Sequence, residues 1–137
     1  LRLILSLLNP SNVILKTLVD GLGKIVVFAF LSSTIPKLVS AGAKVDIVLS
    51  DMAVNTTGNK DLDAMKTNSI ALDVVNLSKV ILKPKSSLLV KIFSGKDENI
   101  LIKNAKDSFK IIERIKPDSS RKESREMYLL CRDLKTI

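Results

Sequence analysis

Val45-Asp46-Ile47-Val48-Leu49, then Asp61 to Leu82, then Ser87-Leu88-Leu89-Val90-Lys91-Ile92-Phe93 is the stretch that decides the fold. The two short apolar runs have the length and β-branched content of buried strands. Between them Ile70, Val74, Leu77 and Ile81 recur at i, i+4, i+7 and i+11, which places them on one face of a helix. Pro84 stops that helix, because its ring removes a donor and clashes with the preceding turn. The segment Asp51–Asn59, with Asn55, Gly58 and Asn59, reads as a loop. Strand, helix, strand in that order is the unit of a parallel α/β sheet.

The pattern continues downstream. Glu98–Ser108 reads as an amphipathic helix with Ile102, Ala105 and Phe109 inward, and Lys110–Ile115 as a strand. A polar loop, Lys116–Glu123, leads to a last strand over Glu126–Cys131. With no helix between them, these last two strands are expected to pair as a hairpin and give one antiparallel strand at the sheet end. Upstream, Ser11 caps an expected helix over Asn12–Gly21, with Gly21 and Gly23 as stop signals. Lys24–Phe30 reads as a buried strand, and Pro36–Ala41 as a short helix ended by Gly42.

Length and composition bound the chemistry. The 137 residues suit one domain. At 46% hydrophobic residues the chain can build a core. With no His and a single Cys, Cys131, there is no Ser-His-Asp triad, no Cys-His dyad, no His/Cys zinc cage and no internal disulfide. No metal is expected. The longest strongly apolar uncharged run, between Lys24 and Lys37, is twelve residues, short of the ~20 that a spanning helix needs, so no membrane partner is expected. The greasy opening Leu1–Leu8 reads as a core element. Lys and Arg number 22 against 14 Asp and Glu, a net charge of +8, and residues 101–137 carry +4 of it. A polyanion would release counterions from such a surface. On charge alone, a polyanionic partner and a merely soluble basic surface stand level.

Three polar residues interrupt or end the apolar strands. Asp51 follows the Val45 strand at its carboxyl end, where open α/β sheets bind ligands. Lys91 sits inside an apolar run, where an ammonium is costly to desolvate without a partner. Glu126 opens the last strand. Singly, each also reads as something plainer: a loop cap for Asp51, a lysine snorkelling to the sheet edge, a surface ion pair for Glu126.

Their flanks carry more. Val45 to Ala53 resembles the "SDMAPN" segment of the FtsJ family of S-adenosylmethionine-dependent ribosomal RNA 2′-O-ribose methyltransferases. Leu82-Lys83-Pro84, then Leu89 to Phe93 with Gly95, resembles the family's "LKPGG…VVKVF-G". Lys116 to Tyr128 resembles its "KPxSSRxxSxExY". The resemblance covers about residues 44–132 and leaves 1–43 as a divergent segment of one domain, 1–137.

It implies a Rossmann-like methyltransferase sheet, α/β, mostly parallel with one antiparallel strand, and incomplete or divergent at the N-terminal side. It also implies a site. Asp51, Lys91 and Glu126 match the last three members of the family's Lys-Asp-Lys-Glu tetrad. By that match Lys91 deprotonates the ribose 2′-hydroxyl while Asp51 and Glu126 orient it. Asp51, with Met52, would lie against the S-adenosylmethionine cofactor. The loop holding Ser119, Ser120, Arg121, Lys122, Ser124 and Arg125 would supply phosphate donors, chiefly Ser120, Arg121 and Arg125. Tyr128 and the four Phe read as core.

The sequence also departs from the family. There is no "SRAxYKL" segment carrying the first tetrad lysine, and no "DLGAAPGGW" turn. Gly23-Lys24-Ile25-Val26-Val27 looks like the family's second strand, yet Phe28, Ala29 and Phe30 stand where it should end in an acid. Val54 replaces a Pro and Lys85-Ser86 replace Gly-Gly. The chain opens on Leu1 rather than Met, so the expectation is an enzyme whose N-terminal part is missing or misread. The expected function is methyl transfer to large-subunit ribosomal RNA. The other reading is a catalytically inactive RNA-binding relative. The expected compartment is cytoplasmic, with the mitochondrial matrix as the alternative.

Overall fold

The computed structural model describes residues 17–19, 25–28, 40, 42, 44–117 and 122–136. Its strands are β1 (Thr17–Val19), β2 (Ile25–Phe28), β3 (Val45–Ser50), β4 (Leu82–Phe93), β5 (Phe109–Ile115) and β6 (Glu126–Leu134). Helix α1 spans Lys60–Ile81 and α2 spans Glu98–Ser108. The strands form one six-stranded sheet in the order β1-β2-β3-β4-β6-β5. β2, β3 and β4 are parallel neighbours, while β6 is antiparallel to both β4 and β5. Two strands, β1 and β6, therefore run against the other four.

Two expectations are corrected here. The hairpin does form, but its antiparallel member is not at the sheet end. β6 is inserted between β4 and β5, and β5 is the edge. The α2 crossover carries the chain past the vacant neighbour position of β4, and the return strand fills it. Second, Thr17–Val19 lies in a strand rather than in a helix over Asn12–Gly21. Its backbone pairs antiparallel with β2, Thr17 opposite Val27 and Val19 opposite Ile25. That ladder outweighs the weak helical pattern of a short segment. The rest of that expected helix, and Pro36–Ala41 apart from helical Ser40, lies outside the described residues.

Helix α1 begins where its cap dictates. The Asn59 side chain accepts from Leu62 N at 3.2 Å, and Asp61 and Asp63 fill the first turn. Its buried face is Ala64, Thr67, Asn68, Ala71, Val74, Val75, Ser78 and Ile81. Of the four residues expected inward, Val74 and Ile81 are buried, whereas Ile70 and Leu77 are only half-buried flanks. The inner stripe is small and polar because each buried polar group finds a partner. Ser78 Oγ, for example, donates to Val74 O at 2.7 Å.

Both helices cover one face of the sheet. Leu88, Val90 and Ile92 of β4 and Leu129 and Cys131 of β6 point into that layer and are essentially inaccessible. Each such aliphatic side chain contributes about 1.5–3 kcal/mol by leaving water. β4 starts earlier than Ser87, and its first half is irregular. Val45 pairs with Leu82 but Ile47 pairs with Ser87, so a bulge holds Pro84 and Lys85. Lys85 sits there at φ 66, a left-handed conformation that favours glycine.

Candidate active site

Alternation along β4 puts Lys91 on the sheet face opposite Val90 and Ile92. The last registered pair of β3 and β4 is Ser50 with Val90, so the chain leaves β3 at Asp51 directly beside Lys91. On the other side Lys91 pairs with Tyr128, and Phe93 with Glu126. Because β6 is antiparallel, its beginning meets the carboxyl ends of β3 and β4. Three neighbouring strands thus place Asp51, Lys91 and Tyr128 in a row, with Glu126 diagonal to Lys91.

The contacts follow from that register. Lys91 Nζ lies 3.0 Å from Asp51 Oδ1 and 3.3 Å from Glu126 Oε1. The Lys91 side chain is 13% exposed, while the two carboxylates are 48% and 46% exposed. Burial is the largest single influence on Lys91 and pulls its pKa down. The hydrogen bond and charge of Asp51, followed by those of Glu126, together outweigh it, and the net pKa is raised above 10.5. The three candidate catalytic residues converge, and they hold Lys91 as an ammonium.

Tyr128 belongs to the site, although its sequence context reads as core. Its hydroxyl donates to Asp51 Oδ1 at 2.7 Å. Burial, the Asp51 hydrogen bond and the nearby carboxylates raise its pKa. Its position two residues after Glu126, hence on the same strand face, is the signal that identifies it.

The loop after Asp51 is tied to α1. Val54 N donates to Thr67 Oγ1 at 3.3 Å. Thr57 N bridges both Asp63 carboxylate oxygens at 3.0 and 3.1 Å, and Thr57 Oγ1 donates to Asp63 Oδ1 at 2.8 Å. Those donors, the backbone one first, hold the Asp63 carboxyl below the usual carboxylate range. Met52 is half-buried against the core. Asp51, 48% exposed at the carboxyl end of β3, is the carboxylate there that a group with a cationic end, such as a sulfonium, would face; its Oδ1 already accepts from Lys91 and Tyr128.

Beside Glu126 lies a cavity of about 250 Å³, lined by the cations Lys60 and Arg125, the acids Asp63 and Glu123, and Thr56, Phe93 and Ser124. Arg125 is ion-paired with Asp61 on α1 at 3.0 Å, and that partner holds the Asp61 carboxyl low. Ser120 and Arg121, the other two candidate RNA contacts, lie outside the described residues. Among the described residues no cluster of three metal-ligating side chains occurs, and no helix is long and apolar enough to cross a membrane.

The chain is 45% identical over 93 residues to the ribosomal RNA large subunit methyltransferase E of Pelagibacter ubique (strain HTCC1062), covering 68% of this chain and 46% of that protein. It is 42% identical over 108 residues to the protein of the same name from Bartonella henselae, covering 77% and 44%. The chain therefore spans less than half the length of these curated relatives. A crystal structure of a Plasmodium falciparum protein assigned as a ribosomal RNA methyltransferase superposes with a TM-score of 0.63 at 30% identity, over 74% of this chain and 54% of that one. The model of the FtsJ-like methyltransferase family matches residues 9–134, reaching back into the segment that the motifs left unassigned. The chain belongs to the FtsJ-like methyltransferase family.

Proposed function

We propose that this chain carries the catalytic part of an S-adenosylmethionine-dependent methyltransferase that modifies a ribose 2′-hydroxyl of large-subunit ribosomal RNA. One observation carries the reading: a lysine bracketed by two carboxylates at 3.0 and 3.3 Å on the carboxyl ends of adjacent strands, in a chain of this family. S-adenosylmethionine, when bound, supplies an electrophilic methyl group on a sulfonium. The chain's own residues do the rest. Lys91, in its neutral form, accepts the proton that the 2′-hydroxyl oxygen loses as it takes the methyl group. Asp51 and Glu126 fix the ammonium in space, and Tyr128 fixes Asp51. Positioning of this kind is worth several powers of ten in rate.

The cavity beside Glu126 carries Lys60 and Arg125 at its wall together with Asp63, Glu123 and Glu126, so in this reading a phosphate there is met by Lys60 and Arg125, the latter released from Asp61. Asp51 and Met52 are the cofactor-facing pair in this reading, and Ser120, Arg121 and Arg125 the phosphate contacts. A cytoplasmic location, with the mitochondrial matrix as alternative, fits a single, buried, free thiol at Cys131.

The test is transfer of labelled methyl from S-adenosylmethionine to large-subunit RNA, with the product mapped as an alkali-resistant linkage. Lys91→Ala should abolish transfer and leave RNA binding nearly intact. Retention of the wild-type rate by Lys91→Ala would overturn the reading.

A further inference from the structure

We infer that Asn68 is a positioning residue: from α1 it locks the carboxyl end of β4, and through it the placement of Glu126 against Lys91. This deepens the proposed function and rests on it for the effect on methyl transfer, but not for the structural readouts.

Asn68 is buried, at 2% exposure, on the inner face of α1. Its amide makes a two-way bond with one backbone unit. Phe93 N donates to Asn68 Oδ1 at 2.8 Å, and Asn68 Nδ2 donates to Phe93 O at 2.8 Å. A third bond runs from Nδ2 to Asp97 Oδ1 at 3.1 Å. Two acceptors on Nδ2 leave only one orientation of the amide.

The side chain stands in for a missing strand. Ser94 N bonds to Arg125 O on the β6 side at 2.9 Å. By the alternation of an antiparallel ladder, the N–H and C=O of Phe93 then point the other way, toward β3. β3 has ended at Ser50, opposite Val90. Without Asn68 both groups of Phe93 would be buried and unpaired, so the strand end would have to shift or open to water. The amide supplies the one donor and one acceptor that a strand neighbour would.

Phe93 is the residue paired with Glu126. It also shares a strand face with Lys91, two positions away. A shift of the strand end moves Glu126 relative to Lys91, and the Lys91–Glu126 contact, at 3.3 Å, is the longer of the two and the first to break. Asp51 is held separately, by β3 and the Thr67 and Asp63 contacts of its loop. Asn68 therefore acts on the Glu126 half of the site alone.

The experiment uses the full chain with Asn68→Ala and, as a milder variant that keeps the Phe93 bonds, Asp97→Ala. Lys91 is titrated by NMR through its labelled side chain, and exchange of the Phe93 amide is followed in parallel. The expected result for Asn68→Ala is a lower Lys91 midpoint and about tenfold or faster Phe93 exchange. Asp97→Ala should show the same changes, smaller, and it answers the question if Asn68→Ala does not fold. In the methyl-transfer assay kcat should fall roughly 10- to 100-fold with KM for RNA unchanged. A reduced melting temperature with an unmoved Lys91 midpoint would overturn the inference, since a purely structural residue does no more than that. Inactivity of the wild-type chain would instead refute the proposed function and leave the titration result standing.

Discussion

Asp51→Asn removes one charge from the row Asp51–Lys91–Tyr128 and changes almost no volume, so its effect is read most cleanly at Tyr128. The phenol donates to Asp51 Oδ1 at 2.7 Å. If the phenol ionised, two negative oxygens would face each other at that distance. Asp51 is 48% exposed, so the dielectric of water sets a floor for the repulsion, about 1.5 kcal/mol. That is roughly a tenfold change in the phenol's proton affinity. Burial adds a part that Asp51→Asn does not touch, and it is the largest cause of the raised pKa. The chain has one Tyr and no Trp, so the phenolate absorbance reports Tyr128 alone. In the folded wild type it should titrate well above the ordinary 10.0. Asp51→Asn should move the midpoint down about tenfold in proton affinity while leaving it above that of the unfolded chain. A stopped-flow pH jump reads the phenol before alkaline unfolding exposes it. The sign of the stability effect follows. A phenol whose folded pKa is raised contributes stability that is complete below pH 10 and drains as the pH climbs through the folded value. Asp51→Asn should shrink that alkaline loss. A wild-type midpoint near 10 in the folded chain, or one unmoved by Asp51→Asn, would refute the placement of Tyr128 against Asp51.

Other consequences are simpler to measure. Lys91→Met should cost about 1–2 kcal/mol at neutral pH, between the surface and buried cases, because Lys91 is enclosed and its partners are hydrated. Its folded pKa is raised, so the difference from wild type should persist up to about pH 10.5 and then shrink, as read by denaturant melts across pH. Lys85→Gly should stabilise by about 0.5–1 kcal/mol, because relief of the left-handed strain exceeds the entropy that glycine adds to the unfolded chain. Unchanged or lower stability would show that φ 66 at Lys85 is not strained. Arg125→Ala should lower the slope of log affinity for RNA against log salt by about 0.9 if Arg125 leaves Asp61 for a phosphate. An unchanged slope would mean that the Asp61 pair survives binding.

What the sequence shows of this protein tracks what local pattern can encode. β3 and α1 are legible to within a residue or two because breakers bound them, the loop residues Asn55, Gly58 and Asn59 between the two and Pro84 beyond the helix. The inner face of α1 is not legible from periodicity. Thr67, Asn68 and Ser78 look like solvent residues, and only their bonds to Val54, to Phe93 and to the helix itself make burial tolerable. β1 is a tertiary product, decided by its pairing with Ile25–Val27 rather than by its own weak preference. Asp51, Lys91 and Glu126 stand out because charge within or beside an apolar strand is costly. Tyr128 does not, because an aromatic in a strand is ordinary, and its role depends on which strand becomes its neighbour. The insertion of β6 beside β4 decides that, and no local pattern encodes it.

The same row constrains how the site can work. Under the methyl-transfer reading a lysine that accepts the ribose proton must first be neutral. Burial favours that state, but Asp51 and Glu126 oppose it and prevail. At neutral pH the row is therefore a hydrogen-bond donor. Its first interaction with an incoming hydroxyl is to orient the oxygen through Lys91 N–H. Base strength at Lys91 requires that a carboxylate's influence be spent elsewhere, by a bond to substrate or by a second cation close by. Glu126 is the carboxylate with the weaker hold, at 3.3 Å against 3.0 Å. It also borders the cavity lined by Lys60 and Arg125 together with Asp63 and Glu123. Occupancy of that cavity by RNA would act on Glu126 before Asp51, while Tyr128 keeps Asp51 in place. Under that reading the proton on Lys91 is controlled from the side of the site that Glu126 faces, and the pairing of β6 with β4 is what puts Glu126 there.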